Sequence, residues 1–207
     1  MRIRFRSISA LAAVAATAAA LACGSSTEPR ATDTRPAGDL NVVTRVQAPA
    51  LVSNTVSFYA KKGTDVSVTL KYAGSTSGGG GADFMRLRIR ANSLERRPNG
   101  ASFATGDSIL ITATAVPGKV EVDLQPSGLR FAASDPAELK LRFAEADADV
   151  NHDGVVDATD SALRATFAIW AQETANLPWA KLVTDLHLDI GEADAKLLGF
   201  TSYAVAY

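Results

Sequence analysis

The chain has 207 residues, of which 47% are hydrophobic and 21% charged, a balance that excludes disorder throughout and suits one or two folded domains. The formal charge of −1 conceals an asymmetry: Arg2, Arg4 and Arg6 fall in the first 22 residues with no acid, leaving 18 Lys+Arg against 22 Asp+Glu beyond them. That remainder lacks the basic excess a polyanion-binding protein requires, so nucleic acid is not an expected partner.

The three arginines precede an apolar stretch from Ile8 to Ala22, and small residues lead up to Cys23. This is the pattern of an export signal over residues 1–22. The stretch is shorter than the roughly 20 residues that span a bilayer core, and it is mostly alanine, so cleavage is expected rather than a permanent transmembrane anchor. The segment resembles the leader of a bacterial lipoprotein precursor, which implies that Cys23 is the lipidated first residue of the mature protein. Gly24 directly after Cys23 resembles the outer-membrane sorting pattern of such lipoproteins. The resemblance implies an exported protein held at the cell envelope by its lipid. An ordinary secretory signal is the other reading of the same residues. Cys23 is the one cysteine, so an intramolecular disulfide is excluded.

Residues 24 to about 38 contain no large apolar side chain and cannot offset the entropy of ordering, so residues 23–38 are expected to be a flexible tether. From residue 39 the texture changes to alternating apolar and polar residues. Val66, Val68, Leu70 and Tyr72 alternate with Ser67, Thr69 and Lys71, and Leu87 and Ile89 with Arg86, Arg88 and Arg90. The pattern recurs at Val120, Val122 and Leu124, and at Leu139, Leu141 and Phe143. Period-two alternation buries one face of a strand and wets the other. Turn signals separate the runs, among them Lys62-Gly63, Gly74 to Gly81, Pro98-Asn99-Gly100, Pro117-Gly118 and Pro126-Ser127-Gly128. Residues 39–207 therefore read as one mainly β, antiparallel β-sandwich. The glycine run lacks the Gly-Lys-Ser/Thr ending of a phosphate loop and reads as a hairpin connection. Arg86, Arg88 and Arg90 fall on one strand face and read as a solvated surface.

Residues Asp149 to Asp160 form the most specific pattern in the chain. Oxygen-bearing side chains stand at positions one, three, five, nine and twelve, with Gly154 at six. Calcium takes about six to eight hard oxygen ligands, and this spacing lets one short loop wrap the ion. On that reading Asp149, Asn151 and Asp153 bind through side chains and Val155 through its carbonyl. Asp157 binds directly or through water, and Asp160 closes the site. The pattern resembles an EF-hand loop, and the terminal aspartate is closer to the dockerin variety. Asp-Gly turns and helix caps also collect Asp and Asn, so Thr159 or Asp160 equally suits the start of a helix.

Beyond the loop, Leu163, Thr166, Phe167, Trp170 and Ala171 recur at helical spacing, which predicts an amphipathic helix over Ser161 to Thr174. The loop and helix then form an insertion at 147–176. His187 alternates with Leu186 and Leu188 and reads as a strand-surface residue. A second dockerin loop near Asp185 to Asp194 would, on alignment, place Val183 and Leu188 where the first aspartate and the glycine belong. The same tail reads as closing strands at Trp179 to Val183, Asp185 to Asp189 and Ala193 to Tyr207.

The segments Gln125 to Phe131, Pro136 to Leu141 and Gly199 to Ala206 resemble, in short pieces, the ZU-five β-sandwich of ankyrins and netrin receptors. That resemblance implies a domain that binds proteins or supports neighbours, and it supplies no catalytic residues. No Gly-x-Ser-x-Gly elbow, His-Glu-x-x-His motif or recognisable histidine pairing occurs, so an enzyme is not expected. The expected protein is an exported, lipid-anchored, calcium-binding sandwich with a structural or protein-binding role. A dockerin-like module docking a cohesin-type partner is the alternative.

Overall fold

The computed structural model describes residues 33–74 and 81–207. The export signal, Cys23, most of the expected tether and the centre of the glycine run lie outside them. Two antiparallel sheets face each other across a shared apolar interior, as the alternating pattern requires.

The larger sheet contains seven strands: β1 (Thr34–Arg35), β2 (Thr55–Lys61), β6 (Ser108–Ala115), β7 (Glu121–Gln125), β10 (Ala168–Gln172), β11 (Trp179–Lys181) and β14 (Ser202–Ala206). The smaller sheet contains β3 (Val66–Lys71), β4 (Asp83–Ile89), β9 (Ala137–Arg142), β12 (Thr184–His187) and β13 (Glu192–Leu197). Their spatial orders are β1-β11-β10-β14-β7-β6-β2 and β12-β13-β9-β4-β3. A short ribbon pairs β5 (Leu94–Arg96) with β8 (Arg130–Phe131).

The interior follows from the period of two. Leu87, Leu139, Leu141 and Ala193 from the smaller sheet meet Ile111, Val122, Leu124 and Val205 from the larger one, all without measurable exposure. The opposite face of the smaller sheet carries an ion-pair lattice. Arg86 reaches Asp83 at 2.5 Å, Arg88 reaches Asp65 at 3.1 Å, and Lys140 bridges Glu192 and Asp194 at 2.9 and 2.5 Å. Glu138 accepts from both Arg90 and Lys196, and the Lys196 ammonium is the first cause that holds its carboxyl below the usual range, against the opposing pull of burial. The arginine run is thus neutralised where it stands, in keeping with a solvated strand face. His187 lies on β12 with its ring 3.7 Å from Asp194.

Two expectations about the chain's path are corrected. The helix expected over Ser161 to Thr174 is α1 (Ala158–Arg164), and residues 168–172 form β10 near the middle of the larger sheet. The insertion expected at 147–176 therefore ends before β10. The physical reason is that Phe167 to Ala171 is a nearly continuous apolar run, which a strand buried on both faces and a helix share. Ala168 pairs with Ala206, and the register continues to Gln172 opposite Ser202. The tether expected to reach residue 38 gives way earlier, because Thr34 and Arg35 pair with Ala180 and Trp179 on the sheet edge.

From that edge, residues 33–42 run as a strap along the outer face of the larger sheet, Val42 bridges Ala206, and Val43 turns into the main core. Leu40 and Val42 cover Ala168, Trp170, Trp179, Ala204 and Ala206, a second apolar cluster on the far side of the sheet from the interior. The Arg35 and Lys181 cations lie 5.5 and 5.8 Å from the Trp170 ring centroid. Residues 184–197, where a second dockerin loop would fall, form the β12–β13 hairpin instead.

Leu139→Ala is expected to cost about 2–5 kcal/mol, since a leucine with no exposure leaves a cavity between close-packed sheets. Arg86→Gln on the wet face is expected to cost under about 1 kcal/mol. Denaturant unfolding of the two variants against wild type checks the contrast.

Candidate metal centre

The acidic loop is bound to the sandwich at both ends. At its entrance Asp147 accepts from the Thr44 hydroxyl at 2.6 Å, from Val46 N–H at 3.1 Å and from Gln47 N–H at 2.9 Å. Asp147 N–H in turn donates to the Thr44 carbonyl at 3.0 Å. Burial pushes the Asp147 carboxyl up, but the three donors together outweigh it and hold the group below its ordinary value. At the exit Phe167 packs edge-on against Phe143 at 5.3 Å between centroids and stacks on Tyr207 at 5.8 Å. The Tyr207 hydroxyl donates to the Val150 carbonyl at 2.7 Å, and Val150 itself is part of the main core.

Within the loop the first half forms one reversal of the chain. His152 has φ +59° and Gly154 φ +89°, two left-handed residues that turn the backbone back on itself. Glycine adopts this region freely, which is why position six requires it. The reversal gathers Asp149, Asn151 and Asp153. Asp149 accepts from Asp153 N–H at 3.2 Å and Gly154 N–H at 2.9 Å. Asn151 Oδ1 accepts from Asp153 N–H at 3.1 Å, and Asn151 Nδ2 donates to Asp153 Oδ2 at 2.8 Å. Asp153 Oδ1 accepts from Val155 N–H at 2.9 Å. Val155, whose carbonyl was expected to face an ion, is exposed.

The second half starts the helix. Asp157 is the N-cap of α1 and accepts from Thr159 N–H at 2.7 Å. Asp160 occupies the third helical position and reaches back to Asp157 N–H at 2.8 Å, closing a reciprocal capping box. The other Asp160 oxygen accepts from Val150 N–H at 2.6 Å and Asn151 N–H at 3.3 Å. Asp160 is only 2% exposed, and the Asp157 N–H is the first cause that keeps its carboxyl below the ordinary range. The expected closing ligand is therefore also the group that staples the beginning of the loop to its end.

The structure thus brings Asp149, Asn151 and Asp153 together and sets Asp157 and Asp160 to capping. Among the described residues no three carboxylate, imidazole or thiol groups converge on one point. A hydrogen-bond inventory tests the fit to a hard cation. An ionised carboxylate offers about four lone-pair sites and an amide oxygen about two. The bonds above leave about two on Asp149, one on Asn151, two on Asp153, three on Asp157 and one on Asp160. Among the described residues, none of these aspartates has an arginine or lysine within 4.0 Å. The donor set is all oxygen, negatively charged and unsaturated, which suits calcium, with Asp160 restricted to a single further bond.

Sequence reading missed Asp147 and Tyr207. Asp147 stands outside the twelve-residue spacing and carries no pattern of its own. Tyr207 is the final residue, and its role depends on a contact 57 positions away. Comparison with protein-family models, with curated proteins and with solved structures gives no match.

Asp160→Asn replaces one acceptor oxygen with an N–H donor and sets it against a backbone N–H. The variant is expected to melt several degrees below wild type and to lose helical signal at α1, measured by circular dichroism on heating without added metal.

Proposed function

We propose that this is an exported protein, anchored at the cell envelope through a lipid on Cys23, whose β-sandwich carries one calcium ion in the loop from Asp149 to Asp160. Its role is structural or protein-binding rather than catalytic. The observation that carries the calcium reading is the gathering of Asp149, Asn151 and Asp153 by the His152–Gly154 reversal, with unused lone pairs and no cationic partner among the described residues.

Asp149, Asn151 and Asp153 would hold the ion, helped by Asp157, the Val155 carbonyl and one lone pair of Asp160. Calcium would supply the positive charge that the aspartates of this loop lack. The chain's own residues do the rest. Asp160 joins the loop's two ends, Asp147 and Tyr207 join the loop to the sandwich, and the loop links β9 to β10 across the two sheets. A cation at this point would act as a clip between sheets, since an ion that binds only the folded loop stabilises the fold by mass action.

The Cys23 reading rests on the arginines, the apolar stretch and the small residues before the cysteine. Intact-mass measurement of the membrane-extracted protein checks it, with acyl chains on an N-terminal Cys23 expected.

Calorimetric titration with calcium is expected to give one site per chain. At about 100 times the dissociation constant the fold gains roughly 2.7 kcal/mol, which appears as a higher Tm that chelator removes. Asp153→Ala is expected to abolish that calcium-dependent gain. Equal melting of mutant and wild type in calcium would overturn the reading.

A further inference from the structure

The larger sheet ends in two unlike edges. At one, β1 is two residues long; at the other, β2 runs seven residues without a proline or a register shift. One side of β2 is paired with β6, and the ladder shows which backbone groups remain. Ala115 N–H donates to the Asn54 carbonyl and Lys62 N–H to the Asp107 carbonyl, both at 2.8 Å and both in the β2–β6 register. Hydrogen-bonded and non-hydrogen-bonded pairs alternate in an antiparallel ladder, so the even-numbered residues of β2 bond β6 and the odd-numbered ones turn N–H and C=O outward. The Ser53 hydroxyl meets Thr55 N–H at 3.2 Å and its C=O at 2.7 Å, and Thr64 N–H meets the Lys61 carbonyl at 3.1 Å. Among the described residues nothing meets the outward N–H and C=O of Ser57 and Tyr59. The β3 edge, by contrast, is covered at its end, where Val52 N–H donates to the Lys71 carbonyl at 2.9 Å. The side chains of β2 are as open as its backbone. Tyr59 stands opposite Leu110 on the outer face, with exposures of 69% and 48%. On the inner face Val56 and Phe58 are only half-buried, so the core is not closed beside this edge.

We propose that β2 is a dimerisation edge, which pairs antiparallel with β2 of a second copy of this chain about a two-fold axis at Phe58. The inference goes beyond the role proposed above and depends on neither the calcium ion nor the lipid. A row of unpaired backbone donors and acceptors is complementary to another extended strand. The register singles out a second copy as that strand. With the axis at Phe58, Ser57 faces the partner's Tyr59 and Tyr59 faces the partner's Ser57, and four N–H to C=O bonds use every outward group of the two residues. An axis at Ser57 or at Tyr59 would pair them instead with Thr55 or Lys61, whose groups are already engaged. The Phe58 axis also makes the two phenylalanines a non-hydrogen-bonded pair, the closer kind, and gives each the cover it lacks on that side. On the outer face the two tyrosines become diagonal neighbours within aromatic reach, and they join both Leu110 side chains in one patch. Lys61, the only charged residue of β2, falls opposite the partner's Thr55, so the two lysines stand about 20 Å apart along the strands.

Sedimentation of the full chain over a range of concentrations reads the association, and amide hydrogen exchange followed by NMR reads the register. A monomer–dimer equilibrium with a dissociation constant on the order of tens of micromolar is expected, since one strand and its flanks make a small interface. At a total concentration about ten times that constant roughly one chain in five stays monomeric, so exchange of the Ser57 and Tyr59 amides slows about fivefold. The Phe58 amide, bonded to β6 within each copy, is the control and keeps its rate. Ser57→Pro removes an outward N–H and sets a ring on the edge while leaving the β6 ladder intact. Tyr59→Lys brings two ammonium groups together beside the axis and changes a residue that is exposed in the single chain. Both variants are expected to stay monomeric where the wild type is dimeric, and to melt as the wild-type monomer does. Tyr59→Lys decides the matter where Ser57→Pro does not fold. A wild-type chain that remains monomeric to about 1 mM overturns the proposal and leaves the edge to a strand of another protein. A dimer that forms equally in Tyr59→Lys, or that leaves the Ser57 and Tyr59 amides at the monomer rate, overturns it too, because the contact then lies elsewhere.

Discussion

Strands β10 and β14 bury both of their faces, and the interior of a sandwich can cover only one. Ile169, Tyr203 and Val205 enter the main core, while Ala168, Trp170, Ala204 and Ala206 point the other way and are equally shielded. Left to water, that second face would expose a contiguous apolar patch centred on an indole, the kind of surface that monomers avoid. The strap from Asp33 to Val42 is the solution. It places Leu40 and Val42 over the patch and flanks Trp170 with Arg35, matching Lys181 from the sheet itself. Cations over an indole face supply attraction that a purely aliphatic cover lacks.

This constraint explains both departures from the sequence reading. A strand wetted on one side announces itself by alternation, and β3, β4, β7 and β9 were legible for that reason. A strand buried on both sides shows an unbroken apolar run, and Phe167-Ala168-Ile169-Trp170-Ala171 also satisfies helical spacing. Only the pairing of Ala168 with Ala206, a long-range fact, decides between them. The strap is illegible for the complementary reason. Thr34, Arg35 and Pro36 carry little apolar surface, so nothing local requires them to order. Their order comes from the vacancy above Trp170, which exists only after the sheet has formed.

The acidic loop was legible in outline and ambiguous in detail, because ligands and caps use the same oxygens. Spacing alone cannot separate a carboxylate that awaits a cation from one that satisfies a helix N-terminus. The structure divides the twelve residues between capping the helix and holding the chain reversal. Asp157 and Asp160 satisfy the first N–H groups of α1, and Asp160 adds two N–H groups from the loop's beginning. Asp149, Asn151 and Asp153 hold the reversal at His152 and Gly154. Asp160 thereby does two structural jobs at once, capping α1 and stapling the loop's beginning. A carboxylate already fixed by three N–H donors has no rotamer entropy left to lose, so any further bond it accepts comes without that cost.

The arrangement also accounts for why an acid-rich loop can sit against an apolar core. Burying ionised carboxylates is costly unless each is supplied with donors. Asp147 has three, and Asp160 has three, which is why both lie low in their titration despite the opposing pull of burial. Asp149 and Asp153 have fewer and stay at the surface. Charge compensation on the smaller sheet follows a different rule, since there Arg86 pairs with Asp83 of its own strand while Arg88 and Arg90 find Asp65 and Glu138 on neighbouring segments. The molecule thus neutralises its basic face with its own acids but leaves its acidic loop without cations of its own among the described residues. That asymmetry, set in one fold and visible on two surfaces, is the observation from which the proposal of an external cation starts.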